Sequence, residues 1–512
     1  MVFVFFILGL APILWLIFAL TVLKWPAFKA AFGSLGIAAV IALFKGLGIL
    51  DVATATLEGF IMALWPIVIV IIAAVFTYNL CVKTGAMDVI KQLLTSVSSD
   101  KRVLVLLIAW CFGGFMEGMA GFGTAVAIPA GMLVALGFKP LFSVLVCLIA
   151  NGVPTPFGSI GIPTVTLSNL VGLEAAKLSA ISTIQLLPFI VLAPIFIVFV
   201  TGKGVKGMKG MWPITLASGL AFGLPQLAVA YFVGPELCVV VGAVCSMAVT
   251  IFLAQKMTPD PKFQVKGSQE KEKGSLDINK ALIAACPFIC IFVFLLLTSK
   301  LIGPVNTFLG QFSSKITVYT GANPGSLTLS WINTPGVWIF LSAIIGGIVQ
   351  KASPKDFLEV FKGTLKQMSK TVYMMLAILG CAKVMIYSGM ISDIAAFVIA
   401  ITGSFYPFFA PLLGALGTFV TGSGTSSEVL FGAVQQNAAE SLGTNPYWMV
   451  ALNSLGIAAG KMISLQNIAI GLSAVPNGEG NDSKMLTKVM PYTIIFLVLM
   501  CILAYVGFII VH

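Results

Sequence analysis

The chain has 512 residues, of which 59% are hydrophobic and only 9% charged, with a formal net charge of +11. Soluble domains carry about 25% charged residues, so this chain lacks the polar groups to cover a water-exposed surface. A soluble enzyme, a nucleic-acid binder and a disordered chain are excluded, and the composition reads as a polytopic membrane protein with the lipid bilayer as its solvent.

In chain order, apolar stretches of the roughly 20 residues that a crossing needs lie at 2–23, 29–50, 59–81, 141–172, 176–200, 213–233, 235–255, 281–299, 335–350, 366–388, 446–475 and 491–510. These predict an all-α protein of about 12 transmembrane helices. The first stretch has no basic residue before it and no small-residue cleavage site after it, so it reads as a retained span. Two further apolar stretches, 103–136 and 404–440, are interrupted by Gly121-Phe122-Gly123-Thr124 and Gly422-Ser423-Gly424-Thr425. Halves of about 15 residues are short for a crossing, so both stretches are expected to be re-entrant hairpins. The polar run 256–280 is expected to be a flexible cytoplasmic linker. All nine cysteines fall in or at the ends of apolar stretches and read as small hydrophobes.

Positive charge sets the sidedness. With Lys24 and Lys29 inside and both hairpins returning to their own face, 23 of the 29 basic residues fall in inside loops. Lys45, Lys177, Lys300 and Lys315 fall outside, and Lys383 and Lys461 lie within spans. Cytoplasmic loops retain lysine in this way, and both termini are then outside.

Features recur about 302 residues apart. Gly59 matches Gly363, Thr84-Gly85 matches Ser388-Gly389, the two glycine turns match, and Asn151 with Gly158 matches Asn453 with Gly460. The span from Gly59 runs inward whereas its counterpart from Gly363 runs outward, so the repeats are inverted. The expected division is 1–212 for the first repeat, 213–255 for two connecting spans, 256–280 for the linker and 281–512 for the second repeat. Inverted repeats with interrupted helices build two gates around one midplane site in many secondary transporters.

Backbone that leaves the helix at membrane depth must face protein or water, so the two glycine turns are expected to border a polar cavity. Gly121, Gly123 and Gly424 allow a tight reversal. The helix after each turn offers free N–H groups and a positive dipole end, and Thr124, Ser423, Thr425 and Ser426 add hydroxyls. That set suits a small carboxylate, although close helix packing also uses small residues. Asn151-Gly-Val-Pro-Thr-Pro-Phe-Gly158 must break its span, and Asn453 to Lys461 is expected to break less severely at Gly456 and Gly460. Asn151 and Asn453 could bond a substrate or satisfy backbone freed by the breaks. Charges inside apolar spans usually face the protein interior. Glu117 and Glu428 are therefore proton-carrier candidates and Lys461 a partner for a substrate carboxylate, the alternative being a fixed Lys461–Glu428 ion pair. Lys383 is expected to be structural, and Asp88 and Asp393 to cap helices.

Catalysis finds no support. No intramembrane histidine exists to activate Ser423 as in a serine protease, because the sole histidine is His512. Thr124 stands where an aspartyl membrane protease needs aspartate. No metal-ligand cluster, cofactor motif or nucleotide loop is present, so transport would draw on ion gradients.

Four segments carry a family resemblance: Glu117-Gly-Met-Ala-Gly-Phe-Gly-Thr-Ala-Val-Ala-Ile-Pro-Ala-Gly131, Ala150-Asn-Gly-Val-Pro-Thr-Pro-Phe-Gly158, Thr421-Gly-Ser-Gly-Thr-Ser-Ser-Glu428 and Ala459-Gly-Lys-Met-Ile-Ser-Leu-Gln-Asn467. In them the chain closely resembles the bacterial L-lactate permease family, and the likeness covers nearly its whole length. The resemblance implies a bacterial plasma-membrane symporter for lactate and a proton, with glycolate and D-lactate as further substrates. It also implies scaffold and transport domains, an elevator-like movement and often a homodimer. A sodium-coupled or differently selective organic-anion symporter on the same framework is the alternative.

Overall fold

In lipid every backbone N–H and C=O must be satisfied within the chain, and the protein meets that demand with helices almost throughout. The structure is a computed structural model that describes residues 2–511 apart from 122, 259, 265–277, 300, 323 and 479. Phe122, His512 and most of the expected linker at 256–280 therefore lie outside the described residues.

The first half contains α1 (Val2–Thr21), α2 (Ala27–Phe44), α3 (Ile49–Met62), α4 (Ile69–Lys83) and α5 (Ala86–Thr95). It continues with α6 (Lys101–Met119), then α7 (Thr124–Ala135), α8 (Pro140–Gly152), α9 (Gly158–Val171), α10 (Ala175–Thr201), α11 (Trp212–Phe232) and α12 (Cys238–Lys256). The second half has α13 (Ile278–Thr298), α14 (Gly303–Gly310), α15 (Pro335–Val349), α16 (Pro354–Tyr387), α17 (Met390–Thr402), α18 (Tyr406–Thr421), α19 (Gly424–Leu442), α20 (Pro446–Ile463), α21 (Leu465–Ser473) and α22 (Asp482–Val511). Among the described residues, 11 helices are long and apolar enough to cross a membrane, or up to 13 if each bent pair is one span. The chain is thus an all-α polytopic membrane protein with two inverted repeats, each holding a hairpin and a broken helix.

One element departs from that expectation. Between α14 and α15, β1 (Ser313–Ile316) pairs antiparallel with β2 (Leu327–Ser330), placing Ser313 opposite Ser330. Alternation of Ser, Lys, Thr and Leu is too short there to stand out in an apolar sequence. The connecting loop covers the ends of α3 and α16: the Thr320 hydroxyl donates to Asp51 at 2.9 Å, and Tyr319 stacks on Tyr387 with ring centroids 3.7 Å apart.

The hairpin arms are less equal than their sequence suggests. In the first, α6 is a 19-residue helix buried along its whole length and α7 has 12 residues. In the second, α18 has 16 residues and α19 has 19. A helix packed against protein on every side is apolar all round, which is why the sequence of α6 shows no polar face.

Packing divides the helices into two groups that each draw on both halves of the chain. One group, here called the frame, packs α16 against α2, α3 and α4, α15 against α4 and α13, and α1 against α2 and α17. The other, the core group, packs α20 against α18, α19 and α8, α10 against α11 and α20, and α12 against α11 and α6. Inside the frame, Lys383 on α16 pairs with Glu58 on α3 at 2.9 Å, and the Tyr387 hydroxyl donates to the same carboxylate at 2.9 Å. Each charge is thereby compensated within the bundle, the structural part expected of Lys383. Neither Asp88 nor Asp393 caps its helix as expected, because Gly85 and Gly389 take the cap positions; from the first turns of α5 and α17 they pair instead with Lys91 and Lys45.

Candidate functional site

Both expected breaks are present, but they arise differently. In the first repeat the chain turns by 64° between Pro140–Gly152 and Thr155–Val171. Pro154 and Pro156 each lack an amide donor and cannot continue the ladder. Beyond them Ser159, Ile160 and Gly161 all adopt left-handed backbone, with φ of 47°, 56° and 73°. Two of the three carry a Cβ, and such conformations cost about 1–3 kcal/mol each unless the surroundings hold them. The Ser159 hydroxyl, bonded to the Ala120 carbonyl at 2.9 Å, ties this turn to the first hairpin. In the second repeat the bend is 42° and falls at Ser464, whose side chain caps α21 through the Asn467 amide.

The expected break at Gly456 and Gly460 is therefore corrected. Both glycines lie inside an unbroken α20, where a Cβ would collide with the Pro411 and Ala415 carbonyl oxygens of α18. Their role is close helix approach, not a bend.

The two hairpin tips are built from glycine and a cap. Gly123 precedes α7 with φ 84°, and Gly422 ends α18 with φ 72°; both are left-handed positions that glycine fills without strain. Ser423 is the N-cap of α19, its hydroxyl oxygen accepting from the Ser426 amide at 3.2 Å. At the first tip the Thr124 hydroxyl donates to the Gly121 carbonyl at 2.7 Å.

A cavity of about 220 Å³ opens beside the second tip, where frame and core group meet. The core group contributes Glu117, Thr155, Ser159, the Gly422–Ser423–Gly424–Thr425 tip, Lys461 and Asn467. The frame contributes the start of α2 at Pro26–Phe28, and Lys370, Thr371 and Met374 of α16. Glu117 and Lys461 are only 3% and 4% exposed. The Lys461 ammonium donates to the Gly422 carbonyl at 2.9 Å and lines the same cavity as Glu117. Thr155 and Asn151 lie beside the Glu117 carboxyl, yet Glu117 Oε2 and both polar atoms of the Asn151 side chain stop short of hydrogen-bond geometry. Buried polar atoms normally find partners, so this corner retains unused bonding capacity.

Glu117, Ser423, Gly424, Thr425 and Lys461 therefore share one cavity. The other candidates lie around it. Gly121 packs on Ser159 and Gly123 on Ile470, and neither is part of the cavity lining. Ser426 is buried with an unbonded hydroxyl, outside the lining. Asn453 and Glu428 are fully buried and face each other: Asn453 Nδ2 donates to Glu428 Oε2 at 2.7 Å, and the Ser454 hydroxyl to Oε1 at 2.6 Å. Lys461 thus reaches the hairpin tip, while Glu428, among the described residues, is held by amide and hydroxyl donors instead of an ion pair.

Sequence reasoning passed over three contributors. Ser159 follows a motif whose prolines drew attention away from it. Lys370 and Thr371 sit on the frame, where in sequence they fall at the start of an apolar stretch with no motif around them. Their signal was the four-residue spacing of Lys362, Lys366 and Lys370, which runs one helix face into an apolar stretch.

A helical membrane chain whose two broken helices converge on one small, charged, buried cavity has the architecture of a transporter. The sequence profile of the L-lactate permease family matches residues 5–511, and the chain belongs to that family, a family of permeases and not of enzymes. It is 45% identical over 446 residues to an L-lactate permease of Streptococcus iniae, covering 87% of this chain and 93% of that one. It is 32% identical over 511 residues to the L-lactate permease of Escherichia coli strain K12, covering 95% and 92%. A glycolate permease of the same strain is 33% identical over 528 residues, covering 96% and 93%. Among solved structures, it is similar to Neisseria gonorrhoeae MtrF, at 16% identity and a TM-score of 0.48 over 97% of each chain.

Proposed function

We propose that this protein is a bacterial plasma-membrane permease importing L-lactate together with a proton, with glycolate and D-lactate as further substrates. The reading rests on family membership and on one observation above all: a cation, a carboxyl group and a glycine-bent hairpin tip share a single buried cavity. Lactate is a 2-hydroxy monocarboxylate. Its carboxylate would meet the Lys461 ammonium and the amides at the start of α19, where the helix dipole also favours negative charge. Asn151 and Thr155, beside the cavity, are the proposed partners of the 2-hydroxyl.

Glu117 is the proposed proton carrier. It borders the cavity and has an oxygen free of hydrogen bonds, whereas both oxygens of Glu428 are taken by neighbours. Glu428 becomes a positioning group that fastens the second hairpin to α20. The two packing groups support an elevator-like cycle in which the core group carries the cavity past the frame, since the lining comes from both.

Uptake of labelled lactate into sodium-free proteoliposomes under an imposed inward proton gradient tests the proposal. Accumulation that follows the gradient is expected. Uptake that ignores the proton gradient and requires sodium would overturn the coupling.

A further inference from the structure

The helix α16 has 34 residues, a length of about 51 Å, against a hydrocarbon thickness of about 30 Å. Its N-terminal turns therefore extend beyond the membrane, on the face that the charge distribution makes cytoplasmic. One side of this extension packs into the frame: Phe357 and Phe361 lie against Phe76, and Thr364 accepts a hydrogen bond from Asn79 of α4 at 3.0 Å. The side turned away from these contacts carries Lys362, Lys366 and Lys370, all exposed, followed by Met374. Of this row, Lys370 and Met374 line the cavity, so its lower end reaches the site while Lys362 and Lys366 lie above it. Among the described residues, none of the three lysines is paired with a carboxylate. Lys83 on α4, by contrast, takes Asp356 and Glu359.

Retention of lysine on the cytoplasmic side explains which face these residues occupy. It does not explain a four-residue spacing that ends at the cavity, where Lys370 is part of the lining. Residues four apart rise about 6 Å along the axis, less than the Debye length of about 8 Å at physiological ionic strength, so neighbouring charges reinforce one another. A cleft lined by one sign of charge between low-dielectric walls raises the local concentration of counter-ions.

We propose that Lys362, Lys366 and Lys370 form a cationic track along which the substrate anion passes between cytoplasm and cavity, with Lys370 on the frame handing it to and from Lys461 on the core group. The proposal rests on the carboxylate-transport reading for its substrate, and its test is arranged so that the two can fail separately. The track also gives the frame, otherwise a passive support, a direct part in substrate selection, since it favours anions over neutral molecules of the same size.

The first arm needs no transported substrate. In membrane vesicles holding the full-length Thr371→Cys variant, the labelling rates of anionic sulfonatoethyl and cationic trimethylammonioethyl methanethiosulfonate are compared, with the parent protein as background. The anionic reagent should be favoured, and adding Lys366→Met and Lys370→Met should lower the anionic-to-cationic ratio roughly tenfold. An unchanged ratio overturns the track. The second arm measures lactate exit from proteoliposomes: Lys370→Met should raise the half-saturating concentration roughly threefold to tenfold, more than it lowers the maximal rate, and flatten its salt dependence, while Lys370→Arg restores both. Wild-type half-saturation and salt dependence in Lys370→Met would overturn the proposal. So would a defect that follows the anionic-lipid content of the vesicles and not lactate concentration, which would assign the lysines to headgroups.

Discussion

Asn453 and Glu428 form a 2.7 Å hydrogen bond between the second broken helix and the second hairpin, while Asn151, the counterpart of Asn453 in the first repeat, leaves both polar atoms of its side chain unbonded beside Glu117. The same residue type at equivalent positions is thus fastened in one repeat and open in the other. Removing the fastened one should be felt mainly as lost stability. Asn453→Ala takes a donor from a fully buried carboxyl group, a cost of about 1–3 kcal/mol. Thermal unfolding of the purified protein in detergent should show a lowered Tm, and a wild-type Tm would show that the bond is not structural.

Among the described residues, Lys461 is the one cation that the core group brings to the cavity, 2.9 Å from the Gly422 carbonyl. Lys461→Met should weaken lactate binding about 100-fold, the upper range for losing a hydrogen bond to a charged group. Lys461→Arg should recover only part of that, because a planar guanidinium does not fit a site shaped for an ammonium. Calorimetric titration of the purified variants with lactate checks both, and wild-type affinity in Lys461→Met would remove the residue from the site.

Gly460 lets α20 lie directly on the Ala415 backbone of α18. Gly460→Val should push the helices apart at about 1–3 kcal/mol for overpacking, or more where backbone has to move. The expected result is a lower Tm with poor recovery from detergent. Normal stability would mean that α18 and α20 separate without cost.

The Ser392 hydroxyl on α17 of the frame donates to Asn437 on α19 of the core group at 2.9 Å. If the groups slide past each other in every cycle, this contact must break. Ser392→Cys with Asn437→Cys should form a disulfide under mild oxidant, stop lactate uptake and regain it on reduction. Full uptake by completely cross-linked protein would contradict the elevator-like cycle.

Much of this architecture can be read from residue order alone. Twelve apolar stretches, the interruption at Val153–Pro156 and the two glycine turns are local features that the bilayer forces into a few backbone solutions. The assignment of Glu117 and Lys461 to buried positions followed from the cost of charge in lipid. What was hidden depends on partners distant in sequence. Glycine in an apolar run signals a bend or a close approach with equal ease, and only the Pro411 and Ala415 carbonyls reveal which one Gly456 and Gly460 serve. Likewise nothing in the sequence separates Glu117 from Glu428, because the distinction lies in whether α20 supplies donors. The split into frame and core group cuts across both repeats, so no chain boundary marks it.

In the proposed mechanism, proton and anion share one cavity through Glu117 and Lys461. The most direct measurement compares net, pH-driven lactate accumulation with lactate–lactate exchange in proteoliposomes of Glu117→Gln. The variant should exchange labelled lactate yet fail to accumulate it against a gradient. Accumulation at the wild-type level by Glu117→Gln would contradict that mechanism.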